Sequence, residues 1–207
     1  MSGPRAARAI ERPRLPVYKV VRQGGERGMI GAAVITASDR SSRGERDDAS
    51  GPALAAQLAR VPMRLVDLRV VPDTVREIRA ALRALVKDPA VKLILTTGGT
   101  GVTPRDVTPE ATAPLLERDL PGLALAMRWG SYRTTPFAMI SRSLAGYHGD
   151  CLIVNMPGSP RAVAECFGIL LPTFRRLFCD QAAPPRPSAG EGRVRGVRTT
   201  PRRERWP

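Results

Sequence analysis

The hydrophobic positions between residues 29 and 179 follow two patterns, short aliphatic runs and longer stripes with helical spacing. The runs predict strands at Ile30–Ala37, Met63–Val71 and Lys92–Leu95, and a hairpin in "SLAGYHGDCLIVNM" that turns at His148-Gly149-Asp150. The stripes predict helices over Pro52–Leu58, "TVREIRAALRALV", Pro109–Leu116, Leu123–Arg133 and "PGSPRAVAECFGILLPTFRRLF". Strands and helices therefore alternate through this region.

Polar residues at three of the predicted helix starts are candidate caps. Ser50 precedes the first helix and Asp73 precedes the second. Thr108 precedes the third helix, with Pro109 at its first position. We expect the segment "SDRSSRGERDD", between the first strand and the first helix, to be a polar loop.

The alternation of strands and helices predicts an α/β fold with a mainly parallel sheet covered by helices on both faces. In such sheets ligands bind beyond the carboxyl ends of the strands. Four polar segments directly follow predicted strands: Ser38-Asp39, Pro72-Asp73, Gly98–Asp106 and Asn155–Ser159. The sequence therefore predicts one binding site at one edge of the sheet.

The net charge of +14 is concentrated at the two ends of the chain. Residues 1–28 and residues 181–207 each carry seven Arg or Lys against two acids, which leaves +4 for the region between them. Both ends are rich in Pro and Arg, so we predict basic, disordered extensions around one domain at 29–180. Aromatic residues are 4% of the chain, and nucleic-acid binding is therefore an expectation for the ends only.

Several classes of protein are excluded or disfavoured by composition. No apolar run approaches the roughly 20 residues of a membrane span, and the N-terminus lacks the apolar stretch of a secretory signal, so we expect a cytoplasmic protein. Cys151, Cys166 and Cys179 contain no C-x-x-C pair, which argues against a disulfide framework and a structural zinc site and favours buried small hydrophobes. The single histidine, His148, excludes a histidine-rich metal site.

The segment "LTTGGTGVTPRDVTPEAT" offers backbone donors and hydroxyls for an anion. Its glycines match neither the Walker A motif nor the dinucleotide-binding motif, but they suit a phosphate nest. "PGSP" at the start of the last helix offers a second nest. Asp73 and Asp106 could hold Mg²⁺ together with phosphate oxygens, and Arg105 could neutralise charge on a transferring group.

Each candidate also has a purely structural explanation. Asp73 could only cap a helix, Ser159 could do the same, and Asp106 could form an ion pair with Arg105 or Arg128. A glycine-rich turn after a strand is often a tight connection without a ligand. No nucleophile lies beside a credible base in the sequence, so acyl transfer is disfavoured.

Three segments, "TTGGTGVTPRDVTPEAT", "ITASDRSSRGERDDASGP" and "LIVNMPGSPRAVAEC", resemble the molybdopterin adenylyltransferases of molybdenum cofactor biosynthesis. These enzymes belong to the molybdopterin-binding-domain superfamily, which includes the gephyrin G domain. The resemblance covers residues 29 to 178 in order. It implies a three-layer α/β/α fold, a homotrimer, and a reaction in which the terminal phosphate of molybdopterin attacks the α-phosphorus of Mg-ATP.

The resemblance also implies roles for individual residues. Asp73 and Asp106 match the acidic pair associated with catalysis and Mg²⁺. The residues that match ligand-binding positions are Ser38, Asp39, Asp48, Gly98, Gly99, Thr100, Gly101, Arg105, Gly158 and Ser159. The two basic ends depart from the family pattern, and contact with the molybdenum-insertion enzyme is one use for them.

Two other functions remain open at the level of sequence. The sister group, molybdenum cofactor biosynthesis protein B, shares the fold and most motifs, and a molybdopterin carrier without catalysis would resemble it. Nucleic-acid binding by the basic ends is the other alternative. The presence of both Asp73 and Asp106, and of Arg105 before the latter, favours the adenylyltransferase.

Overall fold

The structure, a computed structural model, describes residues 30–179 of the chain. The predicted basic extensions, residues 1–28 and 181–207, lie outside the described residues. The domain boundaries at 29 and 180 therefore stay predictions.

Six strands form one mixed sheet in the order β2-β1-β3-β6-β5-β4. Their bounds are β1 Ile30–Ala37, β2 Met63–Val71, β3 Val91–Thr97, β4 Arg118–Asp119, β5 Ala145–His148 and β6 Cys151–Met156. β1 pairs in parallel with β2 and β3, and β3 pairs in parallel with β6. The hairpin partner β5 and the short β4 add an antiparallel edge. The predicted mainly parallel sheet and the hairpin are confirmed, whereas β4 was not predicted.

Helices cover both faces of this sheet. Their bounds are α1 Asp39–Ser42, α2 Ser50–Gln57, α3 Val75–Val86, α4 Thr108–Thr112, α5 Pro121–Tyr132 and α6 Pro160–Cys179, with 3₁₀ turns at Leu58–Arg60, Ala113–Leu115 and Pro136–Ile140. Apolar side chains of α2, α5 and α6 share one buried cluster with the sheet, and those of α3 and α4 share the other. The two clusters confirm the three-layer α/β/α arrangement.

The helical stripe of α3 shows why the sequence places this helix on the sheet. Ile78, Leu82 and Leu85 recur at spacings of three and four, and all three are buried in the second cluster. The strands beneath are continuously aliphatic because both faces of a parallel sheet are covered. For instance, Ala32 through Ile35 in β1 are completely buried.

Two of the predicted helix caps are wrong. Ser50 is the first residue of α2, and the carboxylate of Asp48 instead accepts hydrogen bonds from the backbone N–H groups of Ser50 and Gly51, at 3.1 and 3.0 Å. The cap of α3 is the hydroxyl of Thr74, which accepts from the backbone N–H three residues on at 3.2 Å. Asp73 therefore does not cap a helix, and its carboxylate is directed elsewhere.

The third cap is wrong as well. Thr108 is the first residue of α4, and its hydroxyl donates to the carbonyl of Gly98 at 2.8 Å instead of accepting from the helix. The polar segment "SDRSSRGERDD" is also more ordered than predicted, because Ser38 caps the short helix α1 within it. Both differences bring polar side chains to the carboxyl end of the sheet.

No helix within residues 30–179 is both long enough and apolar enough to cross a lipid bilayer.

Candidate functional site

The carboxyl ends of the four parallel strands meet through direct contacts between their loops. The backbone N–H of Ser38, after β1, donates to the carbonyl of Val71 at the end of β2, at 2.9 Å. A hydroxyl at the end of β3, on Thr97, donates to the carbonyl of Pro157 after β6 at 2.7 Å. The predicted convergence of these loops at one edge of the sheet is thereby confirmed.

Gly98 and Gly99 form a turn that another residue type could not form without strain. Their φ angles are +93° and +63°, in the left-handed region that favours glycine. A Cβ atom on Gly98 would lie 2.4 Å from the carbonyl oxygen of Ala37, and one on Gly158 would lie 3.2 Å from the Cα of Gly98. The two predicted nests, after β3 and after β6, are therefore in backbone contact.

A cleft of about 370 Å³, part of it open to solvent, lies in front of this contact. Its lining residues are Thr36, Ala37, Ser38, Ser41, Arg46, Asp47, Asp48, Ala49, Ser50, Gly98, Gly158 and Pro160. Four of these residues carry hydroxyl groups, and three, Arg46, Asp47 and Asp48, carry charges. The cleft opens at the N-terminus of α6, where the positive end of the helix dipole favours an anion.

Asp48 holds one wall of the cleft in place. Its carboxylate accepts from the hydroxyl of Thr36 at 2.8 Å and from the backbone and hydroxyl of Ser50 at 3.1 and 3.2 Å. The loop after β1 is thereby tied both to the strand and to the start of α2. Because its carboxylate accepts all of these hydrogen bonds from the protein, Asp48 shapes the wall of the cleft.

Asp39 and Asp73 link the loops after β1 and β2 reciprocally. The backbone N–H of each donates to the carboxylate of the other, at 2.9 Å in both directions. Arg105, from the glycine-rich segment, donates to the second oxygen of Asp39 at 2.8 Å, and its side chain is 68% exposed. Three loops are thus joined by one cluster of two carboxylates and one guanidinium.

The electrostatic surroundings of the two carboxylates differ. Burial raises the pKa of Asp73 and outweighs the hydrogen bond from the N–H of Asp39, which lowers it. Repulsion from the neighbouring carboxylates raises this pKa further, and attraction to Arg105 lowers it. Burial also raises the pKa of Asp39, but the N–H of Asp73 and the guanidinium of Arg105 outweigh it and leave the net pKa lowered. Asp73 therefore gains most from an additional positive charge nearby.

Asp106 is turned into its own loop. Its carboxylate accepts from the backbone N–H and the hydroxyl of Thr103, at 2.9 and 2.6 Å. Burial raises the pKa of Asp106, but the hydrogen bonds from Thr103 and from the backbone of Gly101 leave it lowered. The predicted alternative of an ion pair with Arg105 or Arg128 is wrong, because Arg105 pairs with Asp39 and Arg128 binds backbone carbonyls.

The structure sorts the predicted site residues into three neighbouring groups. Ser38, Asp48, Gly98 and Gly158 line the cleft, and Ser159 caps α6 beside it by accepting from the N–H of residue 162 at 3.2 Å. Asp39, Asp73 and Arg105 form the charged cluster. Gly99, Thr100, Gly101 and Asp106 belong to the glycine-rich loop, in which Thr100 is buried. The binding and catalytic roles of these residues stay predictions.

The acidic residues fit a magnesium ion that arrives with a substrate. In the part of the chain that the structure describes, no group of three or more His, Cys, Asp or Glu side chains could hold a metal by itself. Asp73 uses one carboxylate oxygen for the N–H of Asp39, and its Oδ1 accepts no hydrogen bond from the described residues. Mg²⁺ commonly takes one or two carboxylates and completes its shell with phosphate oxygens and water, which suits this arrangement.

Sequence reasoning missed Arg142 and its partner Glu110. Arg142 lies in the segment before β5, and its guanidinium donates to the carbonyl of Gly101 at 2.6 Å, to the carbonyl of Asp106 and to the carboxylate of Glu110. A lone arginine in the segment "SRS" follows no periodic pattern, and its partners lie more than 30 residues away. No local signal could have identified it.

Comparison with known proteins places the described domain in a family. A family model described as a probable molybdopterin binding domain matches residues 33–176. A molybdopterin adenylyltransferase of Helicobacter pylori J99 is 36% identical over 147 residues, which are 70% of this chain and 84% of the relative. Gephyrin of Dictyostelium discoideum is 42% identical over 151 residues, but the chain, with 68% of its own length matched, spans only 21% of gephyrin.

A solved structure supports membership of the same family. The crystal structure of the molybdopterin biosynthesis enzyme MoaB of Thermus thermophilus superposes with a TM-score of 0.67 at 41% identity. The match covers 73% of this chain and 98% of that one. With the family model spanning most of the chain and both glycine turns in place, the protein belongs to the molybdopterin-binding-domain family of molybdenum cofactor biosynthesis.

Proposed function

We propose that this protein transfers the adenylyl group of Mg-ATP to the terminal phosphate of molybdopterin and releases pyrophosphate. The observation that carries the proposal is the contact between the glycine turns after β3 and β6, where Gly158 approaches the Cα of Gly98. Two phosphate-sized cradles thus lie side by side, next to a half-buried aspartate and an exposed arginine. The name of the relative from H. pylori supports the same activity.

The proposed reaction needs positioning and charge neutralisation more than a covalent nucleophile. A phosphate oxygen of molybdopterin forms a bond to the α-phosphorus of ATP, and the bond from that phosphorus to the bridging oxygen breaks. The electron pair of that bond leaves with pyrophosphate. A phosphate monoester is already mostly ionised at pH 7, so no side chain has to remove a proton.

The residues of the chain would divide this work. Backbone N–H groups around Gly98 and Gly158 would hold phosphate oxygens at the mouth of the cleft. Arg105 would exchange its bond to Asp39 for one to a phosphate, since its side chain is mostly exposed. Asp73 would hold Mg²⁺ through its unpaired oxygen, and Mg²⁺ would neutralise charge on the phosphates when bound.

A molybdopterin-binding protein with little or no catalysis is the second candidate. The observation that favours it is that Asp106, one of the two predicted catalytic carboxylates, is bonded within its own loop to Thr103. The same cleft would then hold molybdopterin without turnover.

The proposal extends to assembly and location. We infer a homotrimer from the family resemblance, and an exposed apolar patch on α5 and the following 3₁₀ turn gives a surface for it. Its most exposed members are Trp129 at 69% and Phe137 at 78%.

A cytoplasmic location stays a prediction. Contacts of the basic ends with the molybdenum-insertion enzyme or with nucleic acid also stay predictions, because the ends lie outside the described residues.

Pyrophosphate release from Mg-ATP, with and without molybdopterin, tests the proposal. The informative variant is Asp73→Asn, which keeps the side-chain volume. The matched control is Asp150→Asn, at the hairpin turn that precedes β6 and therefore at the end of that strand opposite to the site. We expect molybdopterin-dependent release by the wild type and the control, and a loss of about 10²-fold or more in Asp73→Asn. Molybdopterin binding without release by the wild type would instead establish the second candidate.

A further inference from the structure

Arg142 binds three carbonyls of the loop that carries Asp106 and one carboxylate of the following helix, α4. Its backbone N–H donates to the carbonyl of Thr100 at 2.8 Å. Its guanidinium donates through Nε to the carbonyl of Gly101 at 2.6 Å, through Nη2 to the carbonyl of Asp106, and through Nη1 to the carboxylate of Glu110. The nitrogens of one planar fork thus reach both ends of the loop and the first turn of α4.

These contacts fix the orientation of peptide planes in the loop. A trans peptide is planar, with its C=O and the following N–H pointing in opposite directions. Holding the carbonyl of Thr100 toward Arg142 therefore turns the N–H of Gly101 away from it. The carboxylate of Asp106 lies directly against Gly101, since a Cβ atom there would be 2.8 Å from its Oδ2. The position of the Asp106 carboxylate depends in this way on the carbonyls that Arg142 holds.

Outside the contacts of Arg142, this part of the loop is tied to the rest of the site by the exposed ion pair of Arg105 with Asp39. Residues 101 to 106 belong to no helix or strand, and Val102 is 61% exposed. The remaining bonds of Asp106 are to Thr103, within the loop itself. By contrast, Gly98 and Gly99 are held independently, since both of their carbonyls accept from Thr108 at 2.8 and 3.0 Å.

We propose that Arg142 is a positioning residue for catalysis, which holds the loop 100–106 so that Asp106 is presented to the reacting phosphates. This inference rests on the proposed adenylyl transfer. Arg142 does not line the cleft, and the turn of Gly98 that does so is restrained by other bonds. Loss of Arg142 therefore leaves ground-state binding of nucleotide largely intact and lowers the rate of the chemical step.

The test compares Arg142→Ala with Arg118→Ala. Arg118 is a matched control because its guanidinium also donates to a backbone carbonyl, that of Gly149 at 2.7 Å at the hairpin turn, without touching the glycine-rich loop. We expect kcat to fall by about 10²-fold in Arg142→Ala, as for a small displacement of a catalytic group, with KM for ATP nearly unchanged. Arg118→Ala is expected to retain the wild-type kcat.

Chemical rescue separates positioning from a general loss of stability. Methylguanidinium chloride at millimolar concentration should restore part of the lost kcat in Arg142→Ala, because the small cation can occupy the vacated fork. Arg142→Lys should be intermediate, since an ammonium group cannot bind the same acceptors in one plane. A raised KM with an unchanged kcat, or equal losses in both alanine variants, would overturn the inference.

Amide hydrogen exchange tests the same inference without turnover. We expect faster exchange in peptides covering residues 99–107 in Arg142→Ala, and wild-type exchange there in Arg118→Ala. If the wild type releases no pyrophosphate, the proposed function fails, and the exchange result still decides whether Arg142 orders the loop. Unchanged exchange in Arg142→Ala would contradict that ordering whatever the activity.

Discussion

Replacement of Gly98 by alanine should destabilise the protein far more than the same change at Gly149. Both glycines have a positive φ, +93° and +54° respectively. A Cβ atom at Gly98 would lie 2.4 Å from the carbonyl oxygen of Ala37, whereas no atom of the described residues lies within 4 Å of a Cβ at Gly149. Gly149 also lies at the hairpin turn between β5 and β6, at the end of β6 opposite to the site.

The magnitude follows from two separate costs. A left-handed conformation costs an alanine roughly 1–2 kcal/mol relative to the right-handed one. The steric overlap at Gly98 adds about 1–3 kcal/mol, since crowding of this kind forces backbone shifts in a packed interior. Ala37 can move little, because β1 is paired on both sides, with β2 and β3. Gly98→Ala should therefore cost about 2–5 kcal/mol in the free energy of unfolding, against roughly 1–2 kcal/mol for Gly149→Ala.

Thermal unfolding followed by circular dichroism measures this difference. For a domain of this size, 1 kcal/mol corresponds to roughly 2–4 °C, so the Tm should fall by about 4–20 °C in Gly98→Ala and by about 2–8 °C in Gly149→Ala. Gly98 also lines the cleft, so nucleotide affinity should fall in Gly98→Ala alone. Equal Tm changes in the two variants would refute the reasoning that the glycine turn is packed against the end of β1.

Three further predictions follow from buried and exposed groups. Asn155→Ala should cost about 2–4 kcal/mol in urea denaturation, since it leaves the buried hydroxyl of Thr96 and a backbone N–H without their partner and removes one of the two bonds of Thr112. A cost below that of an ordinary surface change would contradict this network. Burial raises the pKa of Cys151 to about 12 and also raises that of Cys166, so both thiols should resist alkylation at pH 8 until the protein unfolds, as mass spectrometry of labelled peptides would show. Changing Trp129 and Phe137 to serine should lower the molecular mass in sedimentation equilibrium if the apolar patch joins subunits, and an unchanged mass would exclude that patch as the interface.

The order of elements was predictable because each element carries its own periodic pattern. The stripe of Ile78, Leu82 and Leu85 and the alternation in β2 are local features, and the hairpin is marked by its turn residues. The meeting of four polar loops at one edge followed from the parallel sheet alone, since parallel strands share their carboxyl ends. These predictions needed no knowledge of side-chain contacts.

The bonding within the site was not predictable, because it depends on contacts between distant residues. Asp73 looked like a helix cap from its place before α3, but its carboxylate binds the N–H of Asp39, 34 residues away. An ion pair with an arginine was one alternative for Asp106, and instead its carboxylate closes its own loop. Arg142 showed no signal, since its partners are set by where the segment before β5 crosses the glycine-rich loop. Residue type suggested the chemistry, and only the fold assigned the partners.

Transfer of radiolabel from ATP labelled at the α-phosphate tests the central claim most directly. The wild-type protein would be incubated with this ATP, Mg²⁺ and molybdopterin, and the label would be followed by chromatography. Our account predicts label in adenylyl-molybdopterin, in an amount equal to the pyrophosphate released, and loss of both in Asp73→Asn. Molybdopterin that stays bound and unlabelled, while the ATP remains intact, would contradict the account and identify the protein as a carrier.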